Sequence, residues 1–136
     1  SHVAVSTQKM YERLEGVGLL YGRKYRRIDA AWTGATSSQV VTRLRRRKWR
    51  ENTKVHPADL DAALQSSCLL IDDEVSGGLR LPYCVADARL NGTRGQLQLA
   101  AERHLIDSKI LTCDLSLSSF GARQVSAATL HGSSFK

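Results

Sequence analysis

Two polar side chains one helical turn apart, Asp61 and Gln65, have the types and spacing that could do chemistry, and Cys68 continues their line. They lie in His56-Pro57-Ala58-Asp59-Leu60-Asp61-Ala62-Ala63-Leu64-Gln65. Beside them Leu60, Ala63, Leu64 and Ser67 recur at three- and four-residue steps, a narrow apolar face of small residues. A carboxylic acid that borders Ala and Leu is costly to ionise. An acid that keeps its proton near neutrality can protonate a leaving group. Spacing alone fits a plainer account at least as well, in which Asp61 is an exposed residue of an amphipathic helix.

The elements that must position this pair can be read around it. Pro57 suits the first helical position, where a missing N–H costs nothing. Asp59 falls in the first turn, where a carboxylate is favoured. Upstream, residues 6–15 are predicted to form a short helix, capped by Ser6 or Thr7, with Met10 and Leu14 on one side and Gly16 and Gly18 closing it. An apolar stretch and a glycine break follow, then strands over 25–33 and 38–46, joined by a turn at 34–38. Downstream, a turn at Ser76-Gly77-Gly78 leads into a strand over 79–90 with Pro82 near its start, a position suited to a sheet edge. Asn91-Gly92 is a turn signal. Further strands are predicted over 95–104, 109–117 and 123–131, the last two as a hairpin through residues 118–122. One helix among antiparallel strands implies an α+β domain, with the sheet wrapped around a single long central helix.

At 136 residues the chain is expected to be a single domain over 1–136, with residues 1–5 a tag remnant or disordered. Its composition, 42% hydrophobic and 24% charged, is that of a folded globular chain. No apolar run reaches 18 residues and no basic-then-apolar leader is visible, so neither a membrane span nor a secretory signal is expected, and a cytoplasmic setting is. Cys68, Cys84 and Cys113 stand in apolar runs without metal-ligand or disulfide spacing and read as reduced core cysteines.

The net charge of +7 is concentrated in two runs, Arg23, Lys24, Arg26 and Arg27, and Arg43, Arg45, Arg46, Arg47, Lys48 and Arg50. Such a surface would steer an acidic partner. Nucleic acid is one class, and Trp49 could then stack on a base; without an RNA-binding motif, a tryptophan that pins a loop is the simpler account.

The segment HPADLDAALQ closely resembles the active-site helix of dehydratase domains in modular polyketide synthases and related fatty-acid megasynthases. Residues 10–28, MYERLEGVGLLYGRKYRRI, resemble the opening of the C-terminal hot-dog half of such a domain, with Tyr21, Gly22 and Tyr25 matching and Arg23 standing in place of the usual proline. LRLPYCVADARL resembles the Leu-Pro strand after the helix, and CDLSLSSFGARQVSAATLHGSSF the closing hairpin. The resemblance implies a single hot-dog fold, half of a double hot-dog. It implies removal of water from a 3-hydroxyacyl chain carried on the phosphopantetheine of an acyl carrier protein, with no cofactor or metal bound directly. Asp61 would be the general acid, and Gln65 would orient its carboxyl or the substrate hydroxyl. Tyr21, Gly22, Tyr25 and Pro82 would shape the substrate tunnel, and Arg45, Arg46 and Arg47 would dock the carrier protein. The histidine that serves as base in the other half has no counterpart here: His2, His56, His104 and His131 stand outside its HxxxGxxxxP-type motif. His56 belongs to the helix start and reads as a cap or packing residue. The expected partners are a carrier protein and the other hot-dog or a second copy of the chain, with no membrane, and nucleic acid is not favoured. The alternative is a reduced dehydratase-like domain acting as scaffold, docking module, cyclase or isomerase.

Overall fold

The computed structural model describes residues 2–34, 38–47, 55–70, 80–93, 95–106, 110–119 and 124–136. Trp49, the turn at Ser76-Gly77-Gly78 and most of the loops at 34–38 and 118–122 lie outside the described residues.

The first helix, α1 (Thr7–Gly16), starts where predicted. Ser6 Oγ accepts from Lys9 N–H at 3.2 Å, which satisfies one of the free donors of the first turn. Met10, Tyr11 and Leu14 form its buried side, and the chain turns away through Gly18 at φ +98°. The second helix, α2 (Pro57–Gln65), has Pro57 in its first turn, and His56 caps it by accepting Ala58 N–H on Nδ1 at 3.0 Å. A 3-10 segment, Ser66–Leu70, continues it without a break.

Seven strands form one antiparallel sheet: β1 (His2–Val5), β2 (Ile28–Gly34), β3 (Gln39–Leu44), β4 (Pro82–Leu90), β5 (Leu97–Ile106), β6 (Leu111–Ser119) and β7 (Ser126–Phe135). Their order is β1-β2-β3-β5-β6-β7-β4. The chain therefore leaves β3, makes α2, runs β4 along the far edge and returns to pair β5 with β3. Alternation sets the buried face: Leu111, Cys113, Leu115 and Leu117 of β6 point inward, and Thr112, Asp114, Ser116 and Ser118 point out. Against the inward face lie Ala62 and Ala63 of α2, whose lack of bulk lets the helix sit close.

Two expectations need correction. Residues 2–5 are not outside the fold: they form β1 and pair with β2, Val5 opposite Ala31. Their β-branched residues compete well for the open edge of β2. The cysteines are not all in the core either. Cys113 is buried and Cys68 half-buried, but Cys84 is exposed on β4. Burial pushes the Cys68 and Cys113 thiols up to about 12, which keeps them protonated and inert.

The edge strand β4 is exposed along all nine residues. Pro82 opens it, where a missing donor costs no ladder bond.

Candidate active site at the middle of the second helix

Asp61 is half-buried at the middle of α2, and Gln65, only 3% exposed, lies one turn further on. The Gln65 amide has every polar position satisfied. Its Nε2 donates to Asp61 Oδ2 at 2.7 Å and to the Tyr25 carbonyl at 2.8 Å. Its Oε1 accepts from the Tyr11 hydroxyl at 2.9 Å, and Tyr11 Oη accepts in turn from Ile28 N–H at 3.2 Å. Ile28 opens β2 where its pairing with β3 slips, which leaves that N–H to a side chain.

Tyr21 sits edge-on to Tyr11, ring centres 6.2 Å apart. Burial first, and then the negative charge of Asp61, push the Tyr21 hydroxyl up to about 12, so it is a neutral donor beside the carboxyl. Leu19, Tyr21, Leu60, Leu64 and Cys68 are partly buried and pack against the core cluster. The arrangement is a carboxyl in a largely apolar setting, with one oxygen held by an amide donor and a phenol nearby.

The sequence-predicted residues divide. Asp61, Gln65 and Tyr21 come together. Tyr25 joins through its backbone carbonyl, its ring being exposed. Gly22 leads into the 3-10 turn Arg23–Tyr25, exposed, with open space where a Cβ would point. Pro82 stands apart: it begins β4, at the other end of the strand order from β2, in register with Phe135.

The three arginines expected at a docking surface also divide. Arg45 is exposed and bonded to Asp29 and to the Arg26 carbonyl, and Arg46 is exposed. Arg47 turns inward to Asp59 Oδ2. Asp59, 2% exposed, also takes Arg27 Nε at 3.2 Å, so two guanidinium groups clamp the first turn of α2 to the ends of β2 and β3. This clamp and Tyr11 were not anticipated from sequence. A tyrosine beside Met10 on a helix face signals burial but not the partner of its hydroxyl. Asp59 in a first turn is accounted for without any ion pair.

A seven-stranded antiparallel sheet packed on a helix whose small residues face its core is the hot-dog arrangement. The family model described as the polyketide synthase dehydratase N-terminal domain matches residues 2–134, and the chain belongs to this dehydratase family. Among solved structures it is similar to the dehydratase domain of RzxB from Pseudomonas fluorescens, at 26% identity and TM-score 0.85, over 99% of this chain and 50% of that one. It is also similar in fold to the dehydratase domain from the CurJ module of curacin polyketide synthase, at 19% identity and TM-score 0.81, over 98% of this chain and 48% of that one. A trans-AT polyketide synthase dehydratase domain from Brevibacillus brevis is similar at 18% identity and TM-score 0.75, over 98% and 48%. The chain thus spans about half the length of the dehydratase domains it matches. No curated protein matches it. Among the described residues, no helix is long and apolar enough to cross a membrane.

Proposed function

We propose that the chain is the acid-bearing C-terminal hot-dog of a polyketide synthase dehydratase. It would remove water from a 3-hydroxyacyl chain on an acyl carrier protein once the histidine-bearing half is present. The observation that carries this reading is the Gln65–Asp61 hydrogen bond in an apolar setting on the helix HPADLDAALQ. The matching family model is described as the N-terminal domain. What favours the C-terminal half is the content of α2, an aspartate followed one turn later by glutamine, together with the lack of the histidine motif in the sequence.

In the proposed step, a base from the other half takes the α-proton of the 3-hydroxyacyl thioester. Its electrons form the new C=C bond, the Cβ–O bond breaks, and Asp61 gives its proton to the departing hydroxyl, which leaves as water. The Tyr21 hydroxyl, held neutral, donates toward the same oxygen. The phosphopantetheine belongs to the carrier protein, not to this chain.

Two surfaces support the need for partners. β4 presents an unpaired edge with Leu81, Tyr83, Val85 and Leu90 exposed, a place for the other half or a second copy to add its own strand. Arg23, Lys24, Arg26, Arg45 and Arg46 are exposed on the same segments that bring Tyr21, Tyr25 and the Arg27–Asp59 clamp to α2, and their charge suits an acidic carrier protein.

The test is complementation. Mixed with a histidine-bearing hot-dog, the chain should dehydrate a 3-hydroxyacyl carrier substrate, and Asp61→Asn should lower the rate by about 10²–10⁴-fold. Full activity in that variant would remove Asp61 from the role. Restoration by an acid-bearing half instead would reverse the assignment of halves. Inactivity with either half, with carrier binding kept, would favour a docking or scaffold role.

A further inference from the structure

We propose that Tyr11 is a positioning residue that fixes which oxygen of Asp61 carries the acidic proton, namely Oδ1. The inference deepens the reading of Asp61 as the acid and rests on it for its catalytic meaning.

The argument is one of hydrogen-bond polarity, begun at a group whose polarity is beyond choice. The Ile28 N–H can only donate, and it donates to Tyr11 Oη. With one lone pair occupied there, the single Tyr11 hydroxyl proton is directed at Gln65, so the atom it meets must be an acceptor, Oε1. The other end of the amide obeys a second, independent constraint: the Tyr25 carbonyl can only accept, so the atom facing it must be Nε2. Both constraints select the same orientation of the amide. The flipped amide would set Oε1 against the Tyr25 carbonyl and against Asp61 Oδ2, two acceptor–acceptor contacts in a buried site.

The remaining Nε2 proton then lies on the line to Asp61 Oδ2, 2.7 Å away. An oxygen that receives this proton cannot also present one of its own along the same line. The carbonyl oxygen of a carboxylic acid is a better acceptor than its hydroxyl oxygen, so a protonated Asp61 favours its hydrogen on Oδ1. Tyr11 acts through Gln65, whose amide bonds to both Tyr11 and Asp61. It is well fitted to do so, because it is buried, edge-packed by Tyr21, and has the Arg26 guanidinium 5.4 Å over its ring. The strand that starts at Ile28 thereby sets the direction from which a proton leaves α2.

The polarity can be read without substrate, by ¹⁵N–¹H NMR of the full chain, with the Gln65 side-chain amide assigned as the signal lost in Gln65→Met. In the wild-type protein its two protons should be widely dispersed and should exchange with solvent at least ~10-fold more slowly than an exposed glutamine amide, since each is held by a separate acceptor. In Tyr11→Phe the amide loses the partner of its oxygen, so exchange should quicken by about 10-fold or more and the dispersion should shrink. In Asp61→Asn the wild-type pattern should persist, because an asparagine can offer its oxygen at the Oδ2 position and its NH2 at the Oδ1 position. Unchanged Gln65 signals in Tyr11→Phe would overturn the proposal. If that variant does not fold, the wild-type spectrum still decides: a collapsed, fast-exchanging Gln65 amide is equally fatal. A merely structural Tyr11 would lower the melting temperature of Tyr11→Phe and leave the Gln65 signals in place. Failure of complementation would count against the dehydratase reading alone, because no arm of this experiment uses substrate.

Discussion

Asp59 and Asp61 stand two residues apart on one helix, and their surroundings give them opposite work. Asp59 is 2% exposed and answered by two cations, Arg27 and Arg47. Asp61 is half-buried and answered by neutral groups, the Gln65 amide and the nearby Tyr21 phenol. Asp59 is tied by two guanidinium groups into the packing of the helix start. The Asp61 carboxyl instead meets the neutral amide of Gln65. The difference separates an aspartate tied into an ion-pair clamp from one that meets a neutral amide, and neither helix periodicity nor residue type could have drawn it.

The largest effect should come from breaking the charged end. Asp59→Ala removes a buried carboxylate shared by two partly exposed guanidinium groups, a change that costs about 3 kcal/mol. Chemical denaturation should show it as a lower midpoint with an unaltered slope. At the other end, Asp61→Asn removes no charge pair and keeps its acceptor for Gln65, so its stability should lie within about 1 kcal/mol of wild type. Equal losses in the two variants would erase the contrast between them.

How much of this was legible beforehand follows the same division. The helix with its Pro57 start and His56 cap, the strands and their alternation were readable because local rules decide them: capping, period and turn residues. Spacing singles out Asp61 and Gln65 and resemblance assigns their roles, whereas Tyr21 enters by resemblance alone, since long-range assembly, not spacing, brings it to α2. Pro82 was grouped with them on the same grounds, yet its strand lies at the far edge of the sheet. Residues 2–5 were set aside because a four-residue strand has no pattern of its own and exists only by pairing with β2. Arg47 was read with Arg45 and Arg46 because a run of like charge looks uniform in sequence. Which member turns inward depends on a buried carboxylate elsewhere in the chain, a tertiary fact.

That split within the basic run gives the next test in order of size. Arg47→Ala removes one of the two cations on Asp59 and should destabilise by roughly 1–3 kcal/mol. Arg46→Ala, at an exposed position, should change stability by less than about 0.5 kcal/mol. Binding to an acidic carrier protein, measured against salt, should reverse the ranking: Arg46→Glu weakens it and flattens its salt dependence. A variant of Arg46 as unstable as one of Arg47 would mean that the run acts as a unit.

A third aspartate, Asp114, extends the comparison to the outward face of the sheet and carries the smallest effect. It is bonded to His104 Nε2 at 2.5 Å, His131 Nδ1 at 2.8 Å and the Gly132 N–H at 2.8 Å, with Asp87 opposite His131 on β4. Its partial burial would raise its carboxyl, but the Gly132 N–H, the His104 hydrogen bond and the positive charge of the two imidazoles outweigh this and hold it below the usual aspartate range. A depressed folded-state value means that the stabilisation is fully present above the unfolded aspartate value of about 3.9, and is lost as pH falls through the lower folded value. Because the side chain is still partly in water, the amount should not exceed about 1 kcal/mol. Melting temperatures followed from about pH 6 to below pH 3 should therefore fall less steeply at the acid end in Asp114→Asn than in the wild type. Parallel curves would show that the two histidines and the glycine amide merely decorate this carboxylate, and that burial with ion pairing, as at Asp59, is what gives an aspartate energetic weight here.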